Sequence, residues 1–213
     1  RARRARAPIV RQAVAVVVEP VVADLRRSAA ERDRRARRPA LAAGPTVELP
    51  RVRCVSHPTA TVDRHPAVHR PAAVACPGNV EQIRELLRFS RAHGIPIVPF
   101  GAGSGVMGGA LPVAGELVID LKRLNRLLGL DETDQLATVQ AGMNGGQFEA
   151  ALNSRGYTSG HLPQSLHMST VGGWAACCGA GQNSTRYGKI EDMVVGLEIA
   201  LPDGEILRIR PAA

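Results

Sequence analysis

The 213-residue chain has 45% hydrophobic residues, enough for one sizeable domain or two small ones, and 3% aromatics, so an aliphatic core is expected. A net charge of +8 invites a nucleic-acid reading, but residues 1–53 hold 14 of the 27 basic and 5 of the 19 acidic groups. The arm is thus +9 and residues 54–213 are −1, and no aromatics interleave its arginines to stack bases, so RNA binding through the arm is the lesser reading.

No apolar run nears the ~20 residues that span a bilayer. The patch Ala13–Val18 is too short, and too poor in cleavage signals, for a secretory leader. Cys54, Cys76, Cys177 and Cys178 form no C-x-x-C pattern, which points to reduced thiols and a cytoplasmic setting. His57, His65, His69, His161 and His167 share no ligand spacing, and no metal site is expected.

In chain order, residues 1–53 read as a partly helical or disordered arm, with a helix beginning near Pro20. The domain follows over 54–213, in two lobes of about 66–121 and 122–213. "AAVAC" is a short strand. Asn79 with Gln82 resembles a capping box for a helix that buries Ile83, Leu86, Leu87 and Ser90 and stops at Gly94. "IPIVPF" and "ELVIDL" are strands on either side of a glycine loop. "RLLGLDETDQLATVQAG" reads as a hairpin around the solvated turn Asp131, Glu132, Asp134, and "GGQFEAALNSRG" as a helix with Phe148 and Leu152 inward. "MVVGLEIALPDGEILRIR" is a second hairpin turning at Pro202-Asp203-Gly204. The class is α+β: a small β-α-β lobe leading into a larger, mainly antiparallel sheet lobe with helices.

Within the glycine loop, Gly103, Gly105 and Gly108 formally match G-x-G-x-x-G. A Rossmann turn needs a helix opening at the last glycine and a crossover of a dozen or more residues to the next parallel strand. Only Val106 to Gly115 separates the loop from "ELVIDL", and it contains Gly108, Gly109, Pro112 and Gly115. The Rossmann match fails. Two readings remain: a flexible surface turn, or bare backbone converging on an anion.

A second cluster, "GHLPQSLHMSTVGGWAACCGAGQNSTRYGKIEDMVV", favours the anion. Ser169-Thr170 before Val171-Gly172-Gly173-Trp174 suggests a capped helix start open to close ligand approach. Two glycine-rich segments on different lobes would clamp a long, bent dinucleotide.

"PFGAGSGVMGG" resembles the Pro-x-Gly-x-Gly-[Thr/Ser] loop of the FAD-linked oxidases with a vanillyl-alcohol-oxidase (PCMH) type flavin domain. "GHLPQSLHMSTVGGW" with "YGKIEDMVVGLEI" looks like that family's alkylglycerone-phosphate-synthase branch and its bacterial relatives. The resemblance covers about Pro71 to Arg210. It implies that Pro99, Phe100, Gly101, Ala102, Gly103, Ser104 and Gly105 bind the FAD pyrophosphate through main-chain amides. Pro163, Gln164, Ser165, Leu166, His167, Met168 and Ser169 would run beside flavin and diphosphate, with Ser165 and Ser169 as candidate hydroxyl donors. Gly172 and Gly173, then Ala176, Cys177, Cys178 and Gly179, would lie against the cofactor, and Ile190, Asp192 and Val194 alongside it on the adenosine side.

Departures matter. Relatives that attach FAD covalently carry a His where Ser104 stands, so non-covalent FAD is expected. Gly105 replaces a common Ser, and Cys177-Cys178 stand where Thr-Arg or Ala-Arg is usual. The family's substrate-binding cap and later flavin segment have no counterpart before Ala213, so a truncated enzyme or half of a split one is expected, with a missing cap polypeptide as a candidate partner. The implied activity is removal of a hydride from the alcohol carbon of a 2-hydroxy acid or similar small molecule. Ether-bond exchange on FAD is the near variant, and a non-catalytic FAD-binding fragment the alternative. His161 and His167 are candidate bases or packing residues. Trp174 is a core residue or a cofactor neighbour, and Arg186 and Tyr187 reach phosphate or pair at the surface.

Overall fold

The computed structural model describes residues 71–112 and 115–209, with the backbone of 13–18. The first lobe contains β2 (Ala73–Ala75), α1 (Val80–His93), β3 (Ile97–Phe100) and β4 (Leu117–Asp120), the strands pairing in parallel in the order β2-β4-β3. Helix α1 starts where Asn79 accepts a hydrogen bond from the Gln82 amide at 2.9 Å, while the Gln82 carboxamide accepts from the Gly78 amide at 2.7 Å. It ends at Gly94, whose φ of 64° only glycine adopts cheaply. Ile83, Leu86 and Leu87 pack on Ala75, Leu117 and Ile119, each large aliphatic side chain contributing about 1.5–3 kcal/mol by leaving water. Ala200, from the other sheet, joins this core and ties the lobes together.

The second lobe holds β1 (Ala13–Val18), β5 (Leu127–Asp131), β6 (Leu136–Gln140), α2 (Gly145–Asn153), α3 (Val171–Ala176), the single turns α4 (Ser184–Tyr187) and α5 (Ile190–Met193), β7 (Gly196–Ala200) and β8 (Ile206–Ile209). Both expected hairpins form, β5 with β6 and β7 with β8. In the first, Asp131 Oδ1 accepts from the amides of Thr133 and Asp134; in the second, Gly204 turns with φ 85°. The core gathers Ala137, Val139, Phe148, Leu152, Val171, Trp174, Ile190 and Met193.

Three expectations are corrected. The five-stranded sheet, in the order β5-β6-β1-β7-β8, is mixed rather than mainly antiparallel: its outer pairings are antiparallel and its two inner ones parallel. The reason is the second correction. Ala13–Val18, assigned to the arm, is the central strand, and a strand arriving from elsewhere in the chain is free to run alongside both inner neighbours. The rest of the arm, including the helix expected from Pro20, lies outside the described residues. Met193, expected in a strand, closes α5 instead.

Asn144 caps α2, accepting from the amides of Gly146 at 2.9 Å and Gln147 at 3.2 Å, and its carboxamide donates to the His167 carbonyl at 2.9 Å. Asn144→Ala removes both functions and is expected to cost about 1–2 kcal/mol in urea denaturation. A loss below a few tenths would mean that neither contact matters.

Candidate functional site

Strand β3 delivers the chain into the glycine loop. Gly103 (φ 67°) lies under the Phe100 ring, and Gly108 (φ 71°) carries a tight turn in which its carbonyl accepts from the Leu111 amide at 3.0 Å. Gly103, Ser104 and Gly105 are exposed, and nothing lies within 4 Å of where a Gly105 Cβ would project. Among the described residues, the amides of Ala102, Gly103, Ser104 and Gly105 donate to no protein acceptor. A run of free donors on an accessible loop is what an anion needs. Val106 and Met107, 97% and 93% exposed, form an apolar tip beyond it.

The second cluster is built on α2 and α3. The Gly145 amide donates to the Ser169 carbonyl, and Asn144 forms an antiparallel bridge with Thr170, so the cap of one helix holds the entry to the next. Thr170 caps α3, its Oγ1 accepting from the Gly173 amide at 3.3 Å. At six residues α3 is too short for a large macrodipole, and the amides of Val171, Gly172, Gly173 and Trp174 already donate to Met143, Ala141 and Thr170.

The two clusters meet. Thr170 Oγ1 fills the space where a Gly101 side chain would begin, so the first loop closes on the second only because Gly101 has none. Gly101 has no positive φ, so close approach rather than backbone conformation requires glycine there.

The remaining candidates divide by what their atoms already do. Gly173 has only Thr170 Oγ1 near its open side and is half-buried, so a ligand can reach it. Gly172 is buried against Ala141, and its amide donates to the Ala141 carbonyl at 2.8 Å; its glycine serves packing. Ser169 donates to the Ser165 carbonyl at 2.7 Å and accepts from Trp174 Nε1 at 2.6 Å, which leaves no hydroxyl proton for a cofactor. Ser165 makes a short turn with Pro163, Leu166 and Met168, whose 3-10 helix leaves Gln164, His167 and Met168 exposed. Ala176, Cys177 and Cys178 are exposed and Gly179 half-buried, Cys178 taking a positive φ of 48°. Ile190 is core, Val194 packs against it, and Asp192 accepts from the Lys189 amide at 2.8 Å to start α5. Arg186 lies over the Tyr187 ring at 5.2 Å.

Trp174 is a core residue. The His161 ring meets it edge-on at 4.8 Å; His161 is 1% exposed, and both its ring nitrogens lack partners. Burial pushes its pKa below the ordinary histidine value, with the Glu191 carboxylate working against that shift. A neutral ring sealed inside the domain cannot reach a substrate, so His161 packs. Among the described residues no group of His, Cys, Asp and Glu is placed to hold a metal, and no helix is long and apolar enough to cross a membrane.

The family model described as FAD binding domain matches residues 71–210, two thirds of the chain and both glycine clusters. The chain belongs to this FAD-binding-domain family. It is 43% identical over 141 residues to an uncharacterised FAD-linked oxidoreductase of Escherichia coli strain K12, matching 66% of this chain and 29% of that protein. Against the alkyldihydroxyacetonephosphate synthase of Dictyostelium discoideum the identity is 34% over 139 residues, 64% of this chain and 23% of that enzyme. A solved alkyldihydroxyacetonephosphate synthase superposes with a TM-score of 0.64 at 34% identity, over 68% of this chain and 27% of that one. Chitooligosaccharide oxidase, at 22% identity and a TM-score of 0.63 over 75% of this chain and 35% of that one, shares the fold. The chain spans about a quarter to three tenths of the length of the curated relatives it matches. The flavin-domain architecture, not a Rossmann fold, is what these neighbours share.

Two residues at the site lie outside the motifs that the sequence displays. Lys122 stands with its ammonium 4.9 Å from the Phe100 ring centre and 3.0 Å from Asp120 Oδ2, which puts a cation beside the first loop. It is one of two lysines, and Asp120 pairs in register with Phe100, a hint available only once β3 and β4 are known to be neighbours. Asn144 was hidden at a helix start of ordinary appearance.

Gly101→Ala should push Thr170 away, and Thr170→Ala should relieve the clash. A double-mutant cycle is therefore expected to show coupling of about 0.5–3 kcal/mol in stability; additivity would mean that the loops do not touch. The His161 contribution has its own pH signature. With a depressed folded pKa, its stabilising effect is complete above the unfolded value near 6.5 and is lost as the pH falls toward the folded pKa. His161→Leu should flatten the decline in stability as the pH falls below the unfolded value of about 6.5, and parallel curves for variant and parent would rule this out.

Proposed function

We propose that this chain is the cofactor-holding domain of a flavin-dependent oxidoreductase that acts on a CH–OH carbon, with FAD bound non-covalently and a 2-hydroxy acid or related alcohol as substrate. The observation that carries the proposal is the closure of Gly101 onto Thr170, which sets the loop with an exposed run of free amides against the entry to α3. The donor set fits a diphosphate. The amides of Ala102 to Gly105 would hold its oxygens from one side, the Gly173 region would approach from the other, and Lys122 would add charge near the first loop. Bound FAD supplies the two-electron acceptor; the protein's part is to orient it and keep its diphosphate hydrogen-bonded. Ser104 has no imidazole with which to bond the flavin, which supports dissociable binding. We assign no catalytic base, since His161 is sealed and His167 faces outward.

The domain we propose spans 54–213, with lobes of about 66–121 and 122–213 and with β1 completing the second. A cytoplasmic location is supported by the exposed, unbridged Cys177 and Cys178. Identity to alkyldihydroxyacetonephosphate synthases favours a second reading, ether-bond exchange, in place of net oxidation.

The test is reconstitution. Purified chain incubated with FAD and desalted should retain a flavin spectrum, and acid precipitation should leave the flavin in the supernatant. Flavin in the pellet would overturn non-covalent attachment, and no retained flavin would overturn the binding reading. Anaerobic bleaching by 2-hydroxy acids would then separate oxidoreductase from passive binder.

A further inference from the structure

Helix α3 ends on a pair of adjacent thiols. The Cys177 amide donates to the Gly173 carbonyl at 3.1 Å and closes the last turn. The Cys178 amide then donates to the Ala175 carbonyl at 3.3 Å, and the Gly179 amide to the Trp174 carbonyl at 3.1 Å. These two bonds form a Schellman stop, whose pivot is a left-handed residue and ordinarily glycine. Cys178 is that pivot, with φ 48°, a conformation that a side chain makes costly. Both cysteines are exposed and free. Cys178 Sγ lies 4.0 Å from the Ala175 carbonyl, a contact too long and weak to occupy it.

Neither chemistry common to cysteine pairs suits this one. Neighbouring Cα atoms across a trans peptide stand about 3.8 Å apart, short of the roughly 4.4–6.8 Å that a disulfide spans. Direct bridging is therefore strained. Structural zinc takes four ligands, and among the described residues no group of three or more His, Cys, Asp and Glu is placed to hold a metal. An electrophile that needs two sulfurs and no more fits both limits. Trivalent arsenic carrying one organic group is such a centre, soft and three-coordinate. Set between the sulfurs, it lengthens the bridge by one atom and eases the strain of a direct S–S bond. Once the first sulfur is bonded, the second is its neighbour on the same backbone, so ring closure is intramolecular.

We propose that Cys177 and Cys178 form a dithiol site for trivalent organoarsenicals, at the end of α3 opposite the Gly101–Thr170 contact. With an arsonous acid, two As–O bonds and two S–H bonds break. Two As–S bonds form and two waters leave; arsenic stays trivalent and neither sulfur is oxidised. The site requires no bound flavin and stands apart from the proposed oxidoreductase activity.

The test uses the full chain, reduced and then freed of reductant, with phenylarsine oxide, which hydrates to phenylarsonous acid. Intact mass should show one phenylarsenic group per chain, and peptide mapping should place it on Cys177 and Cys178 together. The adduct should survive excess glutathione, a monothiol, and be stripped by ethanedithiol. Cys178→Gly removes one sulfur while giving the left-handed position its favoured residue, so misfolding does not explain a loss. In that variant and in Cys177→Ser, affinity for the arsenical should fall at least about a hundredfold, as a two-point attachment becomes a single one. Cys76→Ser, at a half-buried thiol outside the pair, should leave it unchanged. No adduct, an adduct on Cys54 or Cys76, one held between two chains, release by glutathione, or equal affinity in Cys178→Gly would each overturn the site.

Discussion

A single close approach, Gly101 against the Thr170 hydroxyl, joins two parts of the chain that are otherwise separate in sequence, sheet and lobe. Everything proposed for the cleft depends on it. The first loop alone is an exposed glycine turn, and the second alone is a short capped helix. Together they set the exposed, free amides of the first loop beside the capped start of α3. The approach is permitted by the absence of one Cβ and held in place by Thr170's own cap on Gly173.

Much of the rigidity behind that contact comes from polar groups spent on the protein itself. Ser169 binds the Ser165 carbonyl and the Trp174 indole, Asn144 binds two helix amides and the His167 carbonyl, and Glu149 accepts from both Ser159 and Thr158. These groups are preorganised and costly to leave unpaired, which suits a scaffold better than a contact that must form and break with ligand. What remains available to a ligand is mostly main chain. A site of that kind tolerates wide side-chain change.

The local part of this was legible in the sequence. The cap and stop of α1 follow from Asn79, Gln82 and Gly94, and the Rossmann alternative fell because ten residues containing Gly108, Gly109, Pro112 and Gly115 cannot make a crossover helix. Both hairpins were readable from their turns. The non-local part was not. Ala13–Val18 is a short apolar run in an arginine-rich arm, and nothing near it says that its partners lie more than 100 residues away. The bonds that consume Ser169 and bury Gly172 depend on Trp174 and Ala141 being neighbours, which spacing does not reveal. His161 lay open between base and packing until its burial was known.

The most direct measurement is an amide chemical-shift titration of isotope-labelled protein with FAD, and with pyrophosphate as the minimal probe. The account requires the amides of Gly103, Ser104, Gly105 and Gly173 to shift together along one binding curve. Shifts confined to one of the two loops, or absent from both at saturating ligand, would contradict it.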